Sequence, residues 1–286
     1  VSALHEAITR NVASMPFSEA TDTRHTQDFI LMHDLATAIR QDKGLWLAWQ
    51  PKICLHSGKP IGLEALIRWQ HPQRGELSPA QFLPVAGQTQ LLTELTAWVT
   101  EHAISRLSRL RDSYIQLPIT INVSSSDFSR DGFADELEEK MLRAKLPVSL
   151  LGIECLETER ILESPTAMQG LEMLKLRGFG ISLDDFGTGY SNISYLRRMS
   201  LDVIKLDRSL ISEISSDTAS RVIARSIIAM LKDLDYMVLA EGVENAETVT
   251  ALTEFGCDQA QGFFYSRPLP EAALDEWLGW RLRSKC

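Results

Sequence analysis

The chain has 286 residues, 44% of them hydrophobic, enough for one large core in the size range of α/β barrels. Its net charge of −9 sets it against polyanionic backbones and excludes broad duplex binding, although a small phosphate ester could bind where metal ions supplied the positive charge. Four scattered cysteines (Cys54, Cys155, Cys257, Cys286) without a C-x-x-C pair read as reduced and intracellular, six histidines lack H-E-x-x-H spacing for zinc, and no apolar run reaches the roughly 18 residues of a membrane span. The first residue is not Met and no signal peptide is evident, so the chain is expected to be the C-terminal part of a longer protein.

In chain order, residues 1–27 are polar and weakly periodic and read as a linker or the tail of a preceding domain, with the main domain over 28–286. Helical spacing of Phe29, Ile30, Met32, Leu35, Ala36 and Ile39 predicts a helix over 28–43. Strand-like runs follow at 46–54, 62–68, 118–124, 150–155, 179–185, 202–207, 236–241 and 258–264. Helical runs fall at 88–111, 132–145, 164–178, 208–234, 244–255 and 270–282. Strands alternating with helices predict an α/β fold, a TIM-like (β/α)₈ barrel. The short His56-Ser57-Gly58-Lys59-Pro60 turn predicts a hairpin between the first two strands, hence one antiparallel strand. An open doubly wound sheet is the alternative, opposed by the lack of G-x-G-x-x-G after the first strand.

Such barrels carry their sites at the C-terminal ends of the strands. There the chain places Glu64, Asn122, Glu154, Asp184, Asp185, Lys205, Glu241, Glu244 and Gln261. Asp184-Asp185-Phe186-Gly187-Thr188-Gly189-Tyr190 is the most informative stretch, because an apolar run ends in paired carboxylates and a glycine-rich turn. Alternation puts Glu64, Leu66 and Arg68 on one face, and sets Asn122 and Lys205 opposite their apolar neighbours. Cys155 should point away from Glu154, into the core. Carboxylates converging in a barrel mouth cannot all stay ionised without cations. Two divalent ions about 3.5–4 Å apart would solve this and would suit phosphodiester hydrolysis, and oxygen-only ligands favour Mg²⁺ or Mn²⁺ over zinc. Blander readings stay open. Glu64 and Arg68 could be an ion pair, Asn122 a turn cap, Lys205 and Asp207 a salt bridge, and Glu244 a helix-start acid facing the macrodipole.

These residues resemble the signatures of EAL-domain phosphodiesterases, which hydrolyse cyclic di-GMP to linear pGpG. The motifs stand in order as Gln50-Pro51, Glu64-Ala65-Leu66, Ile121-Asn122-Val123-Ser124, Glu154-x-x-Glu157, Asp184 to Ser191, Lys205-Leu206-Asp207, Ala240-Glu241-Gly242-Val243-Glu244 and Gln261-Gly262-Phe263. The resemblance implies that Glu64, Asn122, Glu154 and Asp184 hold a first Mg²⁺ or Mn²⁺, with Asp184, Asp185 and Glu241 around a second. It implies that Lys205 holds the attacking water or helps deprotonate it, that Arg68 contacts a substrate phosphate, and that Gln50, Glu244 and Gln261 line the mouth. Glu157 would anchor the loop 186–196, and that loop would link the metals to dimer contacts. Further implied are a homodimer, a cytoplasmic domain in a full-length protein anchored in the inner membrane, and an upstream GGDEF-like or sensory domain. The chain departs from the family at Leu156, in place of a threonine, and at Gly87 and Gln90, near the nucleotide pocket. A catalytically silent cyclic di-GMP receptor or protein scaffold is the alternative function.

Overall fold

Period-two alternation decides which strand residues face the barrel axis and which face the helices. The computed structural model describes residues 19–87, 89–156, 164–188, 196 and 199–283. Its strands are β1 (Leu45–Cys54), β2 (Pro60–His71), β3 (Gly75–Leu77), β4 (Ile119–Asn122), β5 (Leu151–Leu156), β6 (Gly180–Phe186), β7 (Val203–Leu206), β8 (Met237–Ala240) and β9 (Gln259–Ala260). They form one sheet in the order β1-β9-β8-β7-β6-β5-β4-β2-β3, and an added pairing of β1 with β2 closes the ring and leaves β3 outside it. The expected barrel is present, and so is its reversed strand. β1 runs antiparallel to β9, while the pairs from β2 through β4, β5, β6, β7 and β8 to β9 are all parallel.

The helices are α1 (Glu19–Gln41), α2 (Pro79–Ala86), α3 (Leu91–Asp112), α4 (Ser125–Phe128), α5 (Phe133–Arg143), α6 (Pro165–Leu176), α7 (Arg208–Ile211), α8 (Thr218–Asp233), α9 (Ala246–Glu254) and α10 (Glu271–Arg283). Several boundaries differ from the sequence expectation. α1 starts at Glu19 rather than 28, so part of the expected linker is helical. The run 208–234 is two helices, because Asp207 and Asp217 each accept an amide at a helix start, from Ser209 at 2.9 Å and from Ser220 at 2.6 Å. The unexpected α2 begins on a capping box, in which the Ser78 amide donates to Gln81 Oε1 at 2.8 Å, with Pro79 in the first turn. The strand expected over 258–264 stops at Ala260, and the amides of Tyr265 and Ser266 turn back to the Gly262 carbonyl.

By packing, the chain forms two compact units. The smaller holds residues up to Trp46 together with Arg68–Leu95, and the larger holds Leu47–Ile67 and everything from Thr96 onward. In the smaller unit, α1 buries Leu31, Leu35, Ala36 and Ala38. Trp69 meets Phe82 edge-to-face at 5.6 Å. His71 Nδ1 accepts the amides of Gln73 and Arg74, which makes Nε2 the protonated nitrogen, 3.1 Å from Asp34.

The larger unit is the barrel. Ile121, Ile153 and Ile181 are register partners on adjacent strands and are fully buried. Removing such a side chain from water is worth about 1.5–3 kcal/mol, so the outward face fixes the register. Cys155 is buried beside them, as expected. The opposite face therefore points Asn122, Glu154, Ser182 and Lys205 inward. Among the described residues, no helix is long and apolar enough to cross a membrane.

Candidate active site

Lys205 organises the site. It leaves β7 on the inward face, is fully buried, and places its ammonium among four carboxylates. Nζ lies 2.7 Å from Glu154 Oε2, 2.8 Å from Glu241 Oε1, 3.0 Å from Asp184 Oδ2 and 3.4 Å from Glu64 Oε2. These acids come from β5, the loop after β8, β6 and β2. Burial opposes a charge on Lys205, but Glu154, Glu64, Glu241 and Asp184 outweigh it and hold the ammonium well above its ordinary range.

The carboxylates respond unequally. Burial, then the Glu154 charge, pushes Glu64 up. Burial pushes Asp184 up as well, with Glu154 and Asp185 adding to it and Lys205 opposing. Burial raises Glu241 to about 8. Glu154 goes the other way. Burial would raise it, but Lys205 and Lys52 together hold it far below the usual carboxylate range. Lys205 and Lys52 together cannot neutralise all the acids of the cluster, so several are driven toward the protonated form.

Two donor sets emerge, Glu64–Glu154–Asp184 and Asp184–Asp185–Glu241. Within each, one carboxylate oxygen per residue lies within 4.8 Å of the others, and Asp184 belongs to both. Strict alternation would send Asp184 and Asp185 to opposite faces. They converge because the β6–β7 register slips between Leu183 and Phe186 and Asp185 adopts φ 56. A bulge with a left-handed residue re-aims the side chain, and Asp is among the few residues that tolerate it. Glu241 precedes Gly242 at φ 64, the sharp turn that the Glu-Gly pair predicted.

Amides complete the mouth. Asn122 Nδ2 donates to Glu64 Oε1 at 3.1 Å, and Oδ1, the atom a hard cation needs, stays outside that bond; the cap of the following α4 is Ser124. Gln261 Nε2 donates to Glu64 Oε2 at 2.6 Å and to Gln50 Oε1 at 3.0 Å. Gln261 Oε1 is buried with no hydrogen-bond donor, an orphan acceptor that a bound ligand or water would satisfy. All-oxygen donors, crowded acids and a buried orphan acceptor fit hard divalent cations.

Glu244 lies before α9 rather than in its first turn. Asn245 caps that helix, and Glu244 pairs with Arg208 at 3.0 Å. Arg208, Glu244, Gln50, Glu241, Gln261 and Phe263 line a recess of ≈ 220 Å³ beside the carboxylates. Asp207 is a helix cap and does not pair with Lys205. Arg68 is half-buried on the part of β2 that belongs to the smaller unit. Glu157 and residues 189–195 of the expected loop lie outside the described residues. Two residues escaped the sequence reading: Arg208, and Lys52, which contacts Glu154. Their signals were available. Lys52 shares the inward face of β1 with Gln50, and Arg208 directly follows a strand end.

Comparison with known proteins agrees with this geometry. The EAL domain family matches residues 32–268, and the chain belongs to that family. It is 37% identical over 281 residues to cyclic di-GMP phosphodiesterase PA2567 of Pseudomonas aeruginosa, covering 97% of this chain and 47% of the relative. It is 38% identical over 279 residues to cyclic di-GMP phosphodiesterase NbdA of the same organism, covering 96% of this chain and 35% of the relative. The chain thus spans less than half the length of these relatives. A solved structure of a PaMucR phosphodiesterase in complex with c-di-GMP superposes with TM-score 0.79 at 37% identity, covering 85% of this chain and 99% of that one.

Proposed function

We propose that this chain hydrolyses cyclic di-GMP to linear pGpG with Mg²⁺ or Mn²⁺. The observation that carries the reading is the pair of carboxylate sets that share Asp184 around the Lys205 ammonium. Glu64, Asn122, Glu154 and Asp184 would hold one ion, and Asp184, Asp185 and Glu241 a second. Such ions, when bound, supply an activated water and neutralise charge on the phosphoryl oxygens. The chain's own groups set the geometry. Lys205 and Glu241 lie 2.8 Å apart in a direct ion pair, so a water bound at the edge of that pair would meet one donor and one proton acceptor. Water attacks phosphorus in line with the 3′-oxygen. One P–O bond forms, the P–O3′ bond breaks, and a proton ends on the 3′-oxygen. Gln50, Glu244 and Gln261 orient the nucleotide from the recess, and Arg68 meets a phosphate.

The test is purified chain with Mg²⁺ and cyclic di-GMP, with the products separated by chromatography. No pGpG above a Glu64→Ala control overturns the reading. Tight, metal-independent binding without turnover would instead assign the chain as a receptor or scaffold. The same proposal takes the domain to be cytoplasmic and homodimeric, with residues 1–27 joining it to a GGDEF-like or sensory domain in an inner-membrane-anchored protein. Support for a two-domain parent is the length of the relatives and the description of MucR, 36% identical over 259 residues, as a bifunctional diguanylate cyclase/cyclic di-GMP phosphodiesterase. A monomer in sedimentation would remove the dimer, and the full gene product would decide the rest.

A further inference from the structure

We infer that Lys52 is a positioning residue that sets the metal selectivity of this site, by holding Glu154 to one-oxygen ligation. The inference rests on the metal-ion reading above and concerns a residue outside the donor sets.

The reversed direction of β1 puts Lys52 where it is. Gln50 and Lys52 share the inward face two residues apart. Because β1 runs against the other strands, Gln50 reaches the mouth and Lys52 enters one layer deeper. Its stem passes β2 at Gly62, where a Cβ would lie in van der Waals contact with Lys52 Cδ, at 3.9 Å. The ammonium donates to Thr120 Oγ1 on β4 at 2.7 Å and to Glu154 Oε1 on β5. Glu154 is fully buried, and its other oxygen, Oε2, faces Lys205 and the carboxylate cluster. Oε1 is thus committed to the floor of the barrel, and Oε2 alone is presented to the ion side.

That commitment has a chemical consequence. Mg²⁺ and Mn²⁺ sites of near-octahedral geometry take one oxygen per carboxylate, whereas Ca²⁺ takes 6–8 oxygens and readily accepts both oxygens of one carboxylate. A Glu154 free to rotate and chelate would improve the site for Ca²⁺ more than for the smaller ions. Removing the Lys52 charge alone would tighten every divalent ion alike, because the Coulomb term depends on charge and distance. The ratio of affinities therefore separates positioning from electrostatics.

The experiment measures Ca²⁺ and Mn²⁺ binding by calorimetry, on the whole chain without nucleotide, for wild type, Lys52→Met and Lys52→Gln. Lys52 lines a cavity of ≈ 200 Å³ with Gly62, Thr120 and Gly152, so a methionine has room. Lys52→Met is expected to raise the Ca²⁺/Mn²⁺ affinity ratio about tenfold, while Lys52→Gln, which keeps a donor without the charge, stays near wild type. Should Lys52→Met fail to fold, Lys52→Ser, too short to reach Glu154, is expected to raise the ratio in the same way. Both ions tightening equally, with the ratio unmoved, overturns the inference and leaves Lys52 a buried counter-charge. A wild type that binds ions but yields no pGpG fails the hydrolysis alone, and one that binds no divalent ion fails both.

Discussion

Lys205→Met tests whether the ammonium at the centre of the site is a stand-in for divalent charge. Four carboxylates lie within 3.4 Å of Nζ, and removal leaves them with Lys52 as the neighbouring cation, in contact with Glu154. Breaking a buried ion pair from one side costs about 3–5 kcal/mol. With 286 residues at about 2.1 cal/mol/K each, the unfolding entropy is about 0.6 kcal/mol/K, so this cost lowers the melting temperature by about 5–8 °C. The assay is thermal unfolding at pH 8 in EDTA and again in millimolar Mn²⁺. The full drop is expected in EDTA. With Mn²⁺ the drop should shrink to less than half, because the ions replace the missing counter-charge. At pH 5 in EDTA it should also shrink, because the acids protonate. An identical drop with and without Mn²⁺, or no drop in EDTA at pH 8, refutes the reasoning.

Other outcomes follow from the same geometry. In EDTA, Glu241 makes the fold less stable as pH rises from about 4.5 to about 8, because a carboxyl raised by burial favours the fold while protonated and loses that advantage as pH passes its folded value. Melting curves from pH 5 to 9 should show this slope, and Mn²⁺ should reverse it by displacing protons. Free metal at a hundredfold excess over its dissociation constant adds about 2.7 kcal/mol of stability, and Asp184→Asn, which touches both donor sets, should lose most of that response in a chelator titration. Asp185→Asn keeps the left-handed backbone and should unfold in urea near wild type, whereas Asp185→Val should cost about 1–3 kcal/mol more; equal midpoints would remove the strain argument. Gly262→Ala should destabilise more than Gly242→Ala in the same assay. Its new Cβ would strike three main-chain atoms of Val243, the nearest at 2.2 Å, while that at 242 meets the root of the Arg208 side chain, Cγ at 2.5 Å and Cβ at 2.7 Å, which yields only if the start of α7 shifts.

Much of this was legible in the chain because its two signals reinforce each other. Alternation marked Glu64, Asn122, Glu154 and Lys205 as inward, and strand ends marked Asp184, Glu241 and Gln261 as mouth residues. The hairpin turn at 56–60 correctly announced the reversed strand. What stayed hidden depends on register or on distant partners. The convergence of Asp184 and Asp185 needs a bulge, and a period-two pattern contains no sign of one. Lys52 read as one more polar residue on a strand, since its value comes from Thr120 and Glu154, 68 and 102 positions away. The break between α7 and α8 was visible in principle, because Asp217 followed by Thr-Ala-Ser is a helix-start pattern, but unbroken apolar spacing over 208–234 concealed it.

A barrel with every strand parallel presents the same ends of all its strands at one rim. The turned-around first strand relaxes that rule. Moving two places along it carries a side chain from the rim to the basement, so a single segment sets Gln50 and Lys52 at two depths of the barrel. On the proposed ion site, variation at position 52 would retune cation preference without touching Gln50 at the rim.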